Sequence, residues 1–109
     1  MSNNIELLQS FLNYCADKGK VINQNIANTN TPNYKRHDVD FKAYLSNELS
    51  ESKSSNAVNQ TDPVIVEDKN VTIEEEMAEL AKNTINFKFA SKRVSSYYEN
   101  LQSVIKSRG

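Results

Sequence analysis

The 109-residue chain lacks several features that would give it an independent fold or an obvious target. Cys15 is its only cysteine, which excludes an intrachain disulfide and a metal site of the CxxC type. Hydrophobic residues make up 38% of the chain, so a domain of this length is not expected to bury a large core of its own. Thirteen basic and fourteen acidic residues leave a net charge of -1, which provides no field to attract nucleic acid or an anionic membrane. This composition predicts a polar chain that depends on partners.

Long apolar runs are also missing. No stretch approaches the roughly 20 apolar residues that a membrane-spanning helix needs. The N-terminus shows no basic region followed by an apolar one, which is the mark of a secretory signal peptide. We therefore expect neither membrane insertion nor a cleaved signal.

Helical periodicity is present at the N-terminal end. Apolar side chains recur there at alternating spacings of three and four residues, the heptad pattern of a coiled-coil seam. Asn3 with Glu6 predicts a capped helix start, and Pro32 disfavours helical structure at Thr31, so a helix is expected from about residue 4 to about residue 29. The seam residues are Ile5, Leu8, Leu12, Cys15, Ile22 and Ile26. A second, offset apolar stripe, which we expect neighbouring subunits to cover, consists of Leu7, Phe11, Tyr14 and Val21.

The same pattern continues for longer at the C-terminal end. Thr72 with Glu75 forms a predicted capping box, and Glu74 and Glu76 add negative charge to the first turn, where it favours a helix. The seam residues are Met77, Leu80, Phe87, Val94, Tyr98, Leu101 and Ile105, preceded by Ile73. Both seams are predicted to serve assembly.

Between the two helices the chain is rich in Ser, Asn and charged residues, above all at 46–62, which predicts a mobile connector. A short strand or helical turn is expected at 39–45, and an extended segment at 63–66. The predicted fold is all-α: two long terminal helices pair as an antiparallel coiled coil, with an irregular or disordered middle. Within one structural domain, 1–30 is the N-terminal assembly helix, 31–71 the turn and connector, and 72–109 the C-terminal assembly helix.

No residue type forms a pattern typical of catalysis. His37 is a lone histidine in a polar loop and is interpreted as solvated. Lys35 and Arg36 have no basic cluster around them, so we interpret them as solvated or as making an ion pair between subunits. Cys15 lies on the seam and is interpreted as a small buried hydrophobe. We expect no catalytic residue, no cofactor and no metal, and therefore no enzyme.

One short segment at the end of the first helix carries a family resemblance. Its matching residues are Ala27, Asn28, Thr31, Pro32, Tyr34, Lys35 and Arg36. They resemble the signature A-N-x-x-T-P-G-Y-K-R of the flagellar axial rod and hook proteins, with Asn33 in place of the usual Gly. Asn is the next most tolerant residue for the positive φ that this turn position favours. The run Val71–Lys82 is in addition similar to the start of the C-terminal helix in the proximal-rod members of that family.

This resemblance implies a structural subunit of the proximal rod of the bacterial flagellar basal body. Such a subunit would self-assemble through its terminal helices into the shaft that transmits motor torque, and the signature residues would make subunit contacts. The implied partners are further copies of the chain, FlgC-type proximal-rod proteins, a FliE-type adaptor, the MS ring and the flagellar type III export apparatus. Neither nucleic acid nor a small-molecule substrate is implied. The implied location is the periplasmic rod, after export without a cleaved signal.

A second hypothesis is a soluble coiled-coil adaptor or secretion chaperone that does not polymerise. Such a protein is expected to be a stable folded dimer in isolation. A rod subunit is expected to be a weakly helical monomer whose helicity rises on assembly.

Overall fold

The computed structural model describes residues 2–53 and 62–108. Within these residues the elements in chain order are α1 (Ser2–Ala27), β1 (Lys35–Val39), α2 (Phe41–Lys53), β2 (Val64–Asn70) and α3 (Ile73–Arg108). The two long terminal helices that the heptads predict are confirmed. None of the described helices is long and apolar enough to cross a membrane.

Helices α1 and α3 pack on each other along their length. Three hydrogen bonds mark the contact: Gln9 with Tyr98 at 3.2 Å, Asn83 with the Cys15 carbonyl at 2.8 Å, and Asn25 with Glu76 at 2.9 Å. As the residue number rises along α1, its partner on α3 falls, which is the order expected of an antiparallel pair. With 36 residues against 26, α3 is about 15 Å longer than α1.

The seam of α1 faces the interior of the molecule. Ile5, Cys15 and Ile22 are buried, with Cys15 and Ile22 only 1% exposed. Leu8, Leu12 and Ile26 are half-buried. The heptad pattern therefore marks the correct face of this helix.

The face of α3 that contacts α1 is not the face that the heptad pattern of α3 marks. The side chains buried there are Glu76, Asn83 and Ala90, spaced by seven residues. Asn83 is anchored by its bond to the Cys15 carbonyl, and the small Ala90 lets the helices approach closely. The apolar seam of α3 lies beside this strip, where Leu80 and Val94 are half-buried. Its other members remain exposed: Ile73, Met77, Phe87, Tyr98, Leu101 and Ile105.

Helix α2 covers part of the second stripe of α1, which we had expected neighbouring subunits to cover. The ring of Tyr14 lies 4.9 Å from Phe41 and 6.0 Å from Tyr44, and the ring of Phe11 lies 5.7 Å from Phe41. Leu7 remains 45% exposed beyond the end of this cluster. The second stripe is therefore largely satisfied within the chain.

The connector predicted at 46–62 begins within helix α2. Asp40 precedes the helix, and its carbonyl accepts a hydrogen bond from the Tyr44 N–H at 3.0 Å. The apolar residues of α2 lie in its first turns. Contact with α1 stabilises the helix, because the polar second half of α2 would not be helical alone. Residues 54–61 of the predicted connector lie outside the described residues.

Strands β1 and β2 form an antiparallel ribbon that the all-α prediction does not include. His37 lies opposite Val66, and Val39 lies opposite Val64, with an irregularity between Lys35 and His37. The ribbon follows the predicted extended segment at 63–66 and continues it to Asn70. In chain order β1 lies before α2, and β2 lies between α2 and α3.

The turn of the signature has the backbone that its sequence predicts. Asn33 has φ of 64°, the only positive φ of a non-glycine residue in the described part of the chain. The Tyr34 N–H donates to the Thr31 carbonyl at 3.3 Å, which closes the turn around Pro32.

Replacing Asn33 tests this turn. Asn33→Ala is expected to lower the free energy of unfolding by about 1 kcal/mol, because a Cβ without a local hydrogen-bonding group is disfavoured at positive φ. Asn33→Gly is the matched control and is expected to be neutral or slightly stabilising. Urea denaturation followed by circular dichroism measures both, and equal stability of the two variants would contradict the assignment.

Candidate functional site

The signature begins as the cap of α1. The Asn28 side chain donates to the Gln24 carbonyl at 2.8 Å, and the Thr31 hydroxyl donates to Asn28 Oδ1 at 3.0 Å. The Thr29 hydroxyl donates to the Ile26 carbonyl at 2.8 Å. These bonds satisfy carbonyl groups that the end of a helix leaves without partners, so the polar residues here end α1.

Asn25, one turn before the cap, joins α1 to β1. Its side chain is fully buried. Its amide nitrogen donates to the His37 carbonyl at 2.8 Å, and its oxygen accepts from the His37 N–H at 3.0 Å. The amide thus pairs with both backbone groups of one residue, as a neighbouring strand would. The same nitrogen donates to Glu76 Oε1, and the same oxygen accepts from the Tyr34 hydroxyl at 3.4 Å.

Arg36 is the charged centre of this junction. It is 2% exposed, and its Nε donates to Oε2 of the fully buried Glu76 at 2.5 Å. Its Nη1 donates to Glu67 at 2.5 Å and to Asp38 at 3.1 Å. The remaining nitrogen, Nη2, is buried and has no hydrogen-bond partner among the described residues. One arginine therefore ties β1 to β2 and to the first turn of α3.

Arg36 and Asp38 favour each other's ionised form. Burial alone would lower the pKa of Arg36, but its hydrogen bonds to Glu76, Asp38 and Glu67 outweigh this and raise it. For Asp38, burial would raise the pKa, and hydrogen bonds from the Val39 N–H and from Arg36 lower it below its usual range. Arg36 and Asp38 are therefore both ionised at neutral pH.

Lys18 extends the charge network onto α1. Its Nζ lies 3.7 Å from Asp38 and 3.5 Å from Glu79 of α3, and it donates to the Tyr14 hydroxyl at 3.4 Å. Burial would lower its pKa, but the influence of Tyr14, Asp38 and Glu79 raises it. Lys18 thus connects the aromatic cluster under α2 to the Arg36 junction.

The signature residues divide into an inner and an outer set. Arg36 is buried, and Asn28 and Tyr34 are half-buried, with the Tyr34 ring stacked on His37 at 5.1 Å. The outer set is exposed and consists of Ala27, Thr31, Pro32 and Lys35. Within the described part of the chain, the Lys35 side chain makes one long ion pair, at 3.8 Å, with the exposed Asp68. The interpretation of Arg36 as solvated or as part of an inter-subunit pair is wrong for this chain, because its guanidinium is held inside.

Other candidates have packing roles. Cys15 is buried as predicted, and burial raises the pKa of its thiol, which disfavours the reactive thiolate. His37 is half-buried, and its ring nitrogen lies 2.8 Å from the Lys35 carbonyl. In the described residues, no group of three or more His, Cys, Asp or Glu side chains could hold a metal ion.

Several apolar residues of the α3 seam are exposed. Met77 is 53% exposed, Phe87 41%, Leu101 44% and Ile105 62%. These residues recur along the helix on one flank, next to the strip that contacts α1. Between them lie the polar seam positions Thr84 and Ser91 and the half-buried Leu80 and Val94.

Sequence reasoning missed Asn25 and Glu76 as site residues. Asn25 lies one position before the seam residue Ile26, and Glu76 was interpreted only as a first-turn carboxylate whose charge favours the helix. The available signal was the presence, in each helix, of a polar residue at a position that faces the other helix. That signal becomes specific only when the ribbon brings Arg36 between them.

Comparison with known proteins supports the resemblance of the signature. No family model matches the chain. Flagellar basal body rod protein FlgB of Bacillus subtilis (strain 168) is 30% identical over 121 aligned positions, which cover 95% of this chain and 94% of the relative. The protein of that name from Aquifex aeolicus (strain VF5) is 28% identical over 116 positions, with the same coverage of 95% and 94%. That from Buchnera aphidicola subsp. Acyrthosiphon pisum (strain APS) is 36% identical over 55 positions, half of this chain and 41% of the relative. Since the first of these matches spans nearly the whole of both chains, the chain belongs to the FlgB family of flagellar basal body rod proteins.

Proposed function

We propose that this protein is a structural subunit of the proximal rod of the flagellar basal body and has no catalytic role. It self-assembles through α1 and α3 into the shaft that transmits motor torque. Full-length similarity to FlgB proteins supports the location in the basal body. The alternative of a soluble adaptor or chaperone is not favoured by this similarity.

The exposed seam of α3 carries the proposal of self-assembly. Tyr98, Leu101 and Ile105 lie near the end of the longer helix, where they are 44%, 44% and 62% exposed. Burying such side chains on assembly contributes about 25 cal/mol per Å² of apolar surface removed from water. Against this stands the entropy of ordering the helix ends, so many small contacts are needed for a stable shaft.

The partners proposed for this surface are other rod subunits: further FlgB copies and FlgC-type proteins. A FliE-type adaptor and the MS ring lie at the base of such a rod, and the flagellar type III export apparatus delivers the subunits. The outer signature residues Thr31, Pro32 and Lys35 are exposed and available for these contacts.

The double variant Leu101→Asp/Ile105→Asp tests this function. We expect it to abolish rod assembly and swimming in cells that lack their own FlgB, because two charges would have to be buried at the contact. Its helix content in isolation should match that of the unmodified chain, since both side chains are exposed. Purification of basal bodies and circular dichroism measure the two properties.

Ser103→Asp is the matched control. It lies two residues from both Leu101 and Ile105, which places it on the opposite side of the helix, and it is exposed. This variant should assemble normally. Normal rods built from the double variant would rule out the α3 seam as an assembly surface.

A further inference from the structure

Two hollows lie between α1 and α3. The lower hollow, of about 180 Å³, also touches Phe41 of α2, and its lining residues on α3 are Glu79, Lys82, Asn83 and Asn86. The upper hollow, of about 310 Å³, has these lining residues on α3: Arg93, Ser96, Tyr97 and Asn100. The second set repeats the first after two heptads, so both hollows open on the same side of the α1–α3 pair and lie about 21 Å apart along α3.

The surface between the hollows is apolar. Ala90 and Phe89 occupy there the heptad positions of Asn83 and Lys82. Ala90 is buried at the floor, and Phe89 forms one rim, where it is 67% exposed. The exposed Leu7 of α1, one heptad before a lining residue of the lower hollow, forms the other rim. We call the two hollows and the surface between them the groove.

The apolar seam of α3 lies on the other flank of this helix. Phe87 lies three residues before Ala90, which is buried against α1, and the groove residue Arg93 lies three residues after it. Positions three before and three after a residue fall about 60° to either side of it on a helix. Each copy therefore carries the groove on one flank of α3 and the seam on the other, and its own seam cannot reach its own groove.

We propose that the first half of the seam, residues 73–87, of one copy packs into the groove of the next copy. This inference rests on the proposed function and deepens it by naming the two surfaces that meet. Ile73 and Phe87 are both exposed, and their separation of two heptads equals that of the two hollows. Both hollows can therefore be filled at once, with Ile73 in the smaller, lower one and the larger Phe87 in the larger, upper one.

The walls of the lower hollow show which kind of side chain the groove accepts. Phe41, at the start of α2, packs its ring 5.7 Å from that of Phe11 and 4.9 Å from that of Tyr14. The hollow lies beside these three rings. An aliphatic seam side chain placed there would remove apolar surface of both partners from water.

The rim residues of the two surfaces also match. With Ile73 in the lower hollow, Glu74 comes next to Lys82, and neither takes part in an ion pair within the described residues. One heptad further along, the small Ala81 comes next to the exposed Phe89 and leaves room for its ring. The charge pair sets the register of the contact, and the apolar side chains supply its buried area.

The geometry of this contact leads to an open array. Because the groove and the seam are different surfaces, the contact is head-to-tail, and all copies point the same way. Ile73 of one copy lies at the level of Lys82 of the next, so each contact shifts the next copy by about nine residues, or about 14 Å, along α3. An axial shift at every contact prevents closure into a flat ring, and its repetition generates a helical assembly.

A pair of cysteines tests the contact in assembled rods. In the proposed register Thr84 of the seam faces Arg93 of the next copy. Within one chain these residues are about 14 Å apart along the helix axis, too far for a disulfide, which needs Cα atoms within about 7 Å. Mild oxidation of purified basal bodies that contain Thr84→Cys/Arg93→Cys should therefore link successive copies into a ladder of dimers, trimers and larger species. Non-reducing electrophoresis measures the ladder, and a reductant should return it to monomers.

Three controls belong to this experiment. The unmodified chain should give monomers, because Cys15 is buried. Ile85→Cys/Arg93→Cys should also give monomers, since the exposed Ile85 is the neighbour of Thr84 but points about 100° away from it around the helix. A mixture of the single variants Thr84→Cys and Arg93→Cys should give dimers and nothing larger, because each copy then carries one cysteine at the contact.

A second pair tests the same register at the lower hollow. Met77→Cys/Asn86→Cys repeats the nine-residue shift one heptad earlier, and Asn86 lines that hollow. This pair should form the same ladder. Circular dichroism of the purified variants verifies that each retains its helix content.

Three results would overturn the inference: rods in which neither pair cross-links, a ladder from the Ile85 pair equal to that from the Thr84 pair, or species larger than dimers from the mixture. The first would point to another rod subunit as the occupant of the groove. None of these results contradicts the proposed function, because rods are present in each, and the Leu101 and Ile105 variant decides that function separately.

Discussion

Arg36→Ala is expected to lower the free energy of unfolding by about 3 to 5 kcal/mol. The reason is that the carboxylates around the guanidinium lose their hydrogen-bond donor. Glu76 is fully buried, and without Arg36 its side chain would keep one hydrogen-bond donor from the described residues, the amide of Asn25. Glu67 and Asp38 would lose a partner as well. For a domain whose total stability is about 5 to 15 kcal/mol, this loss is about a fifth or more of the total, and urea denaturation followed by circular dichroism measures it.

The neighbouring signature residue provides the control. Lys35→Ala removes a cation of the same strand, whose one ion-pair partner in residues 2–53 and 62–108 is an exposed carboxylate at 3.8 Å. Its effect should stay within about 0.5 kcal/mol. Arg36→Lys should be intermediate, since an ammonium keeps the charge but cannot reach Glu76 and Glu67 with the same fork. If the alanine variants of Arg36 and Lys35 were equally stable, both cations would act outside the fold of the single chain.

Asn25→Asp should destabilise the protein by at least about 3 kcal/mol. The substitution keeps the size of the side chain and changes one donor into a charged acceptor. The amide nitrogen of Asn25 now lies 2.9 Å from Glu76 Oε1 and 2.8 Å from the His37 carbonyl. A carboxylate oxygen in its place would face two acceptors, one of them charged, in a site without water access.

Asn23→Asp is the matched substitution for this experiment. It lies on the same helix two residues earlier, where the side chain is exposed, and it should change stability by less than about 0.5 kcal/mol. Thermal and urea denaturation of both variants give the comparison. A loss for Asn25→Asp no larger than for Asn23→Asp would show that the bonds from α1 to β1 and α3 contribute little to stability.

The sequence predicts the helices well because their physical signals are local. Heptad spacing placed α1 and α3, the capping residue Thr72 lies directly before Ile73, and the tolerance of Asn for positive φ anticipated the turn at Asn33. Helix α2 and the ribbon were harder, because their stability comes from contacts with α1. The polar second half of α2 has no helical pattern of its own, and β1 contains charged residues at three of its five positions.

The site was predictable only in part for a similar reason. The signature pointed to the right segment, and its polar residues do cap α1. Whether a given cation in it lies inside or outside depends on residues 40 positions away, since Arg36 is buried only because Glu76 is there to pair with it. In the same way, heptad spacing found the apolar flank of α3 but not the polar strip that contacts α1. A hydrophobic pattern cannot identify an interface held by Asn83 and Glu76.

The amide of Asn25 occupies one edge of the small ribbon. By bonding both backbone groups of His37, it blocks the outer edge of β1 with a side chain carried on a helix. Strand β2 borders only β1 in the described part of the chain, and three consecutive β-branched apolar residues at its start are exposed. Any strand that joined this sheet could therefore do so along β2 alone. An open strand edge can pair with another chain, and one buried asparagine occupies this edge of the ribbon.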